Sequence, residues 1–134
     1  MSYKLSKEIP SIYPRLNEAF GVLFKDIIIA YGDTIYCADD LPQHSIEHEL
    51  VHLQQQKFLG AEEWWNLYIT DKNFRLIQEV EAYKKQINYL CTHPGEMSRD
   101  HRTQWIQKLI SDLSGPMYGN IISYQKAKEL LGLW

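Results

Sequence analysis

Residues 48–52 read His-Glu-Leu-Val-His, inside the stretch "SIEHELVHLQQQKFLG". That stretch predicts a helix, with Ser45 as N-cap and Gly60 as stop. Each helical residue turns the direction by about 100°. His48 and His52 therefore point the same way, one turn apart, and can bind a single ion. Ile46, Leu50 and Leu53 form a separate apolar stripe, and Glu49 falls between the two, beside the histidines but not aligned with them. A helix built this way has to be anchored in a core along one side and open to a cleft along another. The competing reading is an ordinary helix whose polar face is solvated. A third ligand decides between them, because zinc in catalytic sites takes three protein ligands and keeps a fourth position for water.

"QEVEAYKKQ", residues 78–86, supplies two candidates, Glu79 and Glu81. Leu76, Val80, Tyr83, Ile87 and Leu90 make the apolar stripe of a second helix. Glu79 lies about 50° from the middle of that stripe and Glu81 about 150° from it. Glu79 is thus expected at the edge of the buried face and Glu81 in solvent. A carboxylate at a core boundary needs a partner, since burying an unpaired charge is expensive. The partner is either zinc, shared with His48 and His52, or Arg75 four residues earlier on the same helix.

The rest of the chain sets bounds. Its 134 residues suit a single domain spanning 1–134. With 45% hydrophobic and 23% charged residues it reads as a soluble globular protein. A net charge of -3 gives no electrostatic reason to expect a nucleic-acid partner. No apolar run is long enough for a transmembrane helix, and "MSYKLSKEIP" lacks the apolar core of a signal peptide. Cys37 and Cys91 are expected as reduced thiols of a cytoplasmic protein.

Helical patterns recur in "YPRLNEAFGVLF", where Leu16, Ala19, Phe20 and Leu23 form one face, and in "AEEWWNLYI", "DKNFRLIQEVEAYKKQINYL", "RDHRTQWIQKLISDL" and "SYQKAKELL". Two β-prone runs, 27–31 and 34–37, flank Gly32-Asp33 and predict a hairpin. The expected fold is mainly α with a small antiparallel β-sheet before the motif helix. "TIYCA" is the natural edge strand for an extended peptide to join.

The HExxH helix followed by a glutamate on the next long helix resembles the gluzincin-type zinc metallopeptidases. The short sheet before the motif helix resembles their minimal, single-domain members, the minigluzincins. Over about residues 25–125 the chain also looks like small zincin-like proteins of tailed bacteriophages and bacteria. In the minigluzincins the third-ligand glutamate heads an ExxxD motif. Here the stretch is "EVEAY", and Tyr83 stands where an aspartate would orient a ligand histidine. Tyrosine carries no charge at neutral pH, which implies weaker metal binding.

The resemblance implies a peptidase or amidase acting on a peptide or protein substrate. Zinc would be held by His48, His52 and Glu79, with Glu49 as general base. Family members steady the oxyanion with a downstream tyrosine or histidine, and Tyr118, Tyr83, His93 and His101 are the candidates. His44 reads as a loop residue before the motif helix. Trp64, Trp65 and Tyr68 read as groove or core, and Arg75 as a contact for a substrate carboxylate or a salt bridge within its helix. Two other readings stand beside the enzyme. One is a structural or assembly protein, such as a phage-associated component, in which zinc holds helices together. The other is a latent enzyme whose cleft is closed by "SGPMYGNIISYQKAKELLGLW".

Overall fold

A computed structural model describes residues 2–133, except for the side chain of Met117. Strand β1 (Lys4–Ser6) leads into helix α1 (Tyr13–Phe20), then β2 (Ile29–Tyr31) and β3 (Thr34–Tyr36). Five helices follow: α2 (Gln43–Leu59), α3 (Ala61–Thr70), α4 (Lys72–Thr92), α5 (Arg99–Leu113) and α6 (Tyr124–Leu130). None of the helices among the described residues is long and apolar enough to cross a membrane. Cys37 is buried, Cys91 is exposed, and both thiols are free.

The hairpin forms where the sequence places it, with Gly32 supplying the positive φ of 68° that its turn needs. The sheet is nevertheless mixed, not purely antiparallel. β1 pairs in parallel with β3, Lys4 opposite Thr34, and gives the order β1-β3-β2. "KLS" is too short and too exposed to announce itself as a strand. Its arrival puts β3 in the centre, so "TIYCA" is not an edge. The edge beside α2 is β2, and it is partly fastened. The Ala30 carbonyl accepts from Gln56 Nε2 at 2.7 Å and from Trp65 Nε1 at 3.0 Å.

α1 begins with Pro14 in its first turn and ends at Gly21, whose φ of 64° is left-handed. Leu16 is buried and Phe20 half-buried, but Ala19 and Leu23 are exposed, so the inward face is narrower than predicted. α2 starts earlier than expected, with Pro42 rather than Ser45 at its N-cap, and this takes His44 out of the loop and into the first turn. One side of α2 packs Ile46 and Leu53 against Ala30 and Ile35 of the sheet. Another meets α4, whose start is capped by Asp71 accepting from the amides of Asn73 and Phe74.

α4 corrects the predicted stripe. Its buried residues are Arg75, Glu79, Ala82, Tyr83, Gln86, Ile87 and Leu90, while Leu76 and Val80 are only half-buried. The helix is covered by α2, α3 and α5, so its buried arc is wider than one apolar stripe. Glu79 lies inside that arc at 3% exposure, not at its edge. Polar faces of α2 and α4 thus meet in the interior, next to a core that includes Trp64, Trp65, Tyr68, Tyr83 and Leu109.

Candidate metal centre

His48 and His52 of α2 and Glu79 of α4 converge on one point. His48 Nε2 and His52 Nε2 are 3.2 Å apart, and Glu79 Oε1 is 3.0 Å from the first and 2.9 Å from the second. All three residues are buried. Ligand atoms about 2.0–2.1 Å from a tetrahedral ion stand about 3.3 Å from each other. The triangle is close to that size, and the group could hold a metal ion.

The surrounding hydrogen bonds aim the right atoms inward. Gln55 Nε2 donates to the Gln78 carbonyl at 3.1 Å, which turns Gln55 Oε1 toward His52 Nδ1 at 2.9 Å. A carbonyl oxygen only accepts, so Nδ1 must carry the proton, and the neutral ring offers its Nε2 lone pair. His48 Nδ1 faces Gln86 Oε1 at 2.9 Å, and Gln86 Nε2 lies 2.9 Å from His44 Nδ1. The second oxygen of Glu79, Oε2, accepts from the Tyr68 hydroxyl at 2.5 Å.

Three electron-rich atoms facing each other in a buried place need a positive charge among them. Without an ion, a proton takes that role. Burial alone would lower the pKa of His52, but the charge and hydrogen bond of Glu79 and the charge of Glu49 push it up to about 9. Burial would raise Glu79, yet the charge of His52 and hydrogen bonds from both histidines hold it well below the usual carboxylate range. A metal entering here would displace that proton.

Glu49 stands outside the triangle, with Oε2 3.7 Å from His48 Nε2. Burial, opposed by the two histidines and reinforced by Glu79, pushes its carboxyl above the ordinary range. Glu49 and the three convergent residues line a cavity of about 540 Å³, within the size range of small-molecule and substrate sites. Asp26, Ile27, Ile28 and Ile29 contribute to its wall from the approach to β2, and Trp105, Lys108, Leu109 and Asp112 from α5.

Of the other residues singled out in the sequence, Tyr83 and Tyr118 line this cavity, their hydroxyls 3.1 Å apart. Burial first, then the charge of Glu79, raises both phenols well above their usual range, so both keep their protons. The Tyr83 ring meets His48 edge-on, with centroids 4.6 Å apart. His93 is exposed and stacked on Tyr89, and His101 is exposed on α5; neither lines the cavity. Trp64, Trp65 and Tyr68 are core residues that also border it. Arg75 directs Nε to the Tyr68 carbonyl at 2.7 Å and Nη2 to the Ile69 carbonyl at 3.0 Å, and it lies over the Phe20 ring. These contacts tie Arg75 to the end of α3, and Glu79 makes ion pairs with the two histidines. Glu81 is exposed, as expected. Gly115, Pro116 and Tyr118 of the C-terminal segment reach the cavity, while α6 packs on α5.

Four supporting residues went unread in the sequence: Gln55, Gln56, Tyr68 as a partner of Glu79, and Gln86. Spacing offered a faint signal. Gln55 is three residues after His52, and Gln86 is seven after Glu79, both near-neighbour or same-face separations on a helix. Glutamine at such positions is common on solvated faces, so spacing alone does not single these out. No known protein family matches the chain, and neither a curated protein nor a solved structure matches it.

Proposed function

We propose that the chain is a small zinc-dependent hydrolase of peptide or amide bonds, working in the manner of the gluzincin peptidases. His48 and His52 through Nε2 and Glu79 through Oε1 are the residues that would hold the ion. Zinc in such a place supplies a Lewis acid that polarises a carbonyl and lowers the pKa of a bound water. The observation that carries the proposal is the placement of Glu49. It is a buried carboxylate beside the triangle, outside it, and on the wall of the cavity. A purely structural site has no use for such a group.

Glu49 takes the proton of the attacking water and passes it to the leaving amine. Its pKa, raised by burial, makes the carboxylate a stronger base for the water proton, and the carboxyl it becomes can hand that proton on. Tyr118 and Tyr83, both protonated and both on the cavity wall, are the available donors to an oxygen that gains negative charge. The apolar wall from Ile27 to Ile29 gives an extended chain a surface to lie against.

The test is a peptide-library cleavage assay on zinc-loaded wild type, Glu49→Gln and a chelated sample. Wild type cleaves, the chelated sample does not, and Glu49→Gln keeps its zinc while losing about 10²–10⁴-fold in turnover. Cleavage by Glu49→Gln at the wild-type rate would discard the mechanism. A fully loaded wild type that cleaves nothing would leave the ion a structural role in joining α2 to α4.

A further inference from the structure

Gln86 follows Glu79 by two turns of α4 and is 4% exposed. Its amide bridges two histidines of α2, with Oε1 2.9 Å from His48 Nδ1 and Nε2 2.9 Å from His44 Nδ1. An amide has one accepting end and one donating end, so the way it is turned decides what it offers each ring. With its oxygen toward His48, it accepts the Nδ1 proton, and the neutral ring presents a lone pair at Nε2. Turned over, it would present N–H to Nδ1 and force the proton of His48 onto Nε2, the atom that faces Glu79 and His52.

A metal needs the lone pair of His48 Nε2 and so requires the first orientation, which His44 can support from the other end of the amide. His44 Nδ1 accepts from Gln86 Nε2 only when the His44 ring is neutral with its proton on Nε2. Burial holds His44 below the usual imidazole range, so it is neutral at neutral pH. Its Nε2 is buried with no hydrogen-bond partner among the described residues, and the ring is fixed edge-on to Trp105, centroids 4.4 Å apart. Only one nitrogen of this buried ring is used, and it is the one that holds the amide.

We propose that Gln86 and His44 are positioning residues of the metal centre. His44 sets the amide of Gln86, and Gln86 sets the tautomer and ring angle of His48. Groups that hold the far nitrogen of a ligand histidine in this way tune metal affinity. The expected orienting position was 83, but Tyr83 only packs its ring against His48 and sends its hydroxyl to Tyr118. The task has moved one turn along α4, to a neutral amide that needs a second residue to keep it from turning over. The proposal rests on the reading of the site as a metal centre.

Zinc affinity of the whole chain, measured by competition with a chromophoric chelator, tests it with Gln86→Met, His44→Leu and His44→Asn. Circular dichroism checks the fold of each. Gln86→Met weakens zinc by about 10–100-fold. His44→Leu also weakens it, whereas His44→Asn stays near wild type, because the asparagine oxygen falls close to the place of Nδ1 and can hold the amide. In ¹⁵N-imidazole spectra of the zinc-loaded protein, the His48 Nδ1 proton is protected from exchange in wild type and loses that protection in Gln86→Met. Wild-type affinity in Gln86→Met, or equal losses in His44→Leu and His44→Asn, would overturn the relay. The second result would assign the loss to ring packing on Trp105. A wild type that takes up no zinc would remove the centre itself, and the relay with it, before any variant is compared.

Discussion

The Tyr68 hydroxyl donates to Glu79 Oε2 at 2.5 Å, and this leaves Oε1 alone to face both histidines. α3 thereby fixes a candidate ligand on α4. Burial, then the charge of Glu79, pushes the Tyr68 phenol well above its usual range, so it remains a donor at any physiological pH. One oxygen of the carboxylate is tied back and the other is presented, which fits a single-point ligand.

Replacing Tyr68 with phenylalanine removes the tie and leaves a buried carboxylate oxygen without its donor. Zinc affinity should fall by about 10-fold. The metal-free protein should lose about 1–3 kcal/mol of stability. Calorimetric zinc titration and urea unfolding read the two effects separately. Unchanged affinity would mean that Oε1 is presented without help from Tyr68.

Adjacent glutamines have different work, and two variants should separate it. Gln55→Leu takes the acceptor from His52 Nδ1 and should weaken zinc about 10–100-fold. Gln56 holds the hairpin, accepting from the Gly32 amide at 2.8 Å and donating to the Ala30 carbonyl. Gln56→Leu should cost about 1–3 kcal/mol of stability and leave the zinc stoichiometry at that of wild type. If both variants lose zinc alike, the hairpin and the centre are coupled more tightly than the hydrogen bonds indicate.

Metal analysis of purified Glu79→Ala and Glu81→Ala should give opposite results. Glu79 is in the triangle and Glu81 is exposed, so only the first substitution should abolish stoichiometric zinc. Zinc content equal to wild type in Glu79→Ala would remove Glu79 from the site.

The metal-free protein should become less stable as the pH rises. His52 has a folded pKa of about 9, above its ordinary 6.5, so its contribution is complete below 6.5 and lost as the pH climbs through 9. Glu49, also raised, acts in the same direction. Glu79 is lowered, so its contribution is complete above its ordinary 4.5 and is lost in acid. Urea midpoints of the metal-free chain should therefore be highest at about pH 5–6 and fall toward pH 9. Saturating zinc should flatten the alkaline fall, since the ion replaces the proton. A midpoint that rises from pH 6 to 9 without metal would contradict the proton's place in the triangle.

Legibility followed range. The i, i+4 spacing of His48 and His52 and the flanking position of Glu49 are properties of one helix, and any helix drawn through 45–60 shows them. The hairpin around Gly32 is local in the same sense, because a two-residue turn needs only its own φ angles. The periodicity of α4 alone turns Glu79 inward and Glu81 outward, and the structure buries the first and exposes the second. Periodicity places Glu79 at the edge of an apolar stripe, whereas it lies inside an arc buried on several sides.

What only the tertiary structure decided is everything that depends on one element meeting another. β1 has too little pattern to be seen, yet its parallel pairing with β3 turns a hairpin into a mixed sheet and moves the free edge to β2. Amides such as Gln55, Gln56 and Gln86 have no preferred environment in a sequence. They acquire a role only when a histidine or a carbonyl from a distant segment stands at hydrogen-bond distance. Side-chain periodicity records which face of a helix is turned inward. It does not record which polar atoms of two such faces will meet, and the candidate metal centre with its supports is built from those meetings.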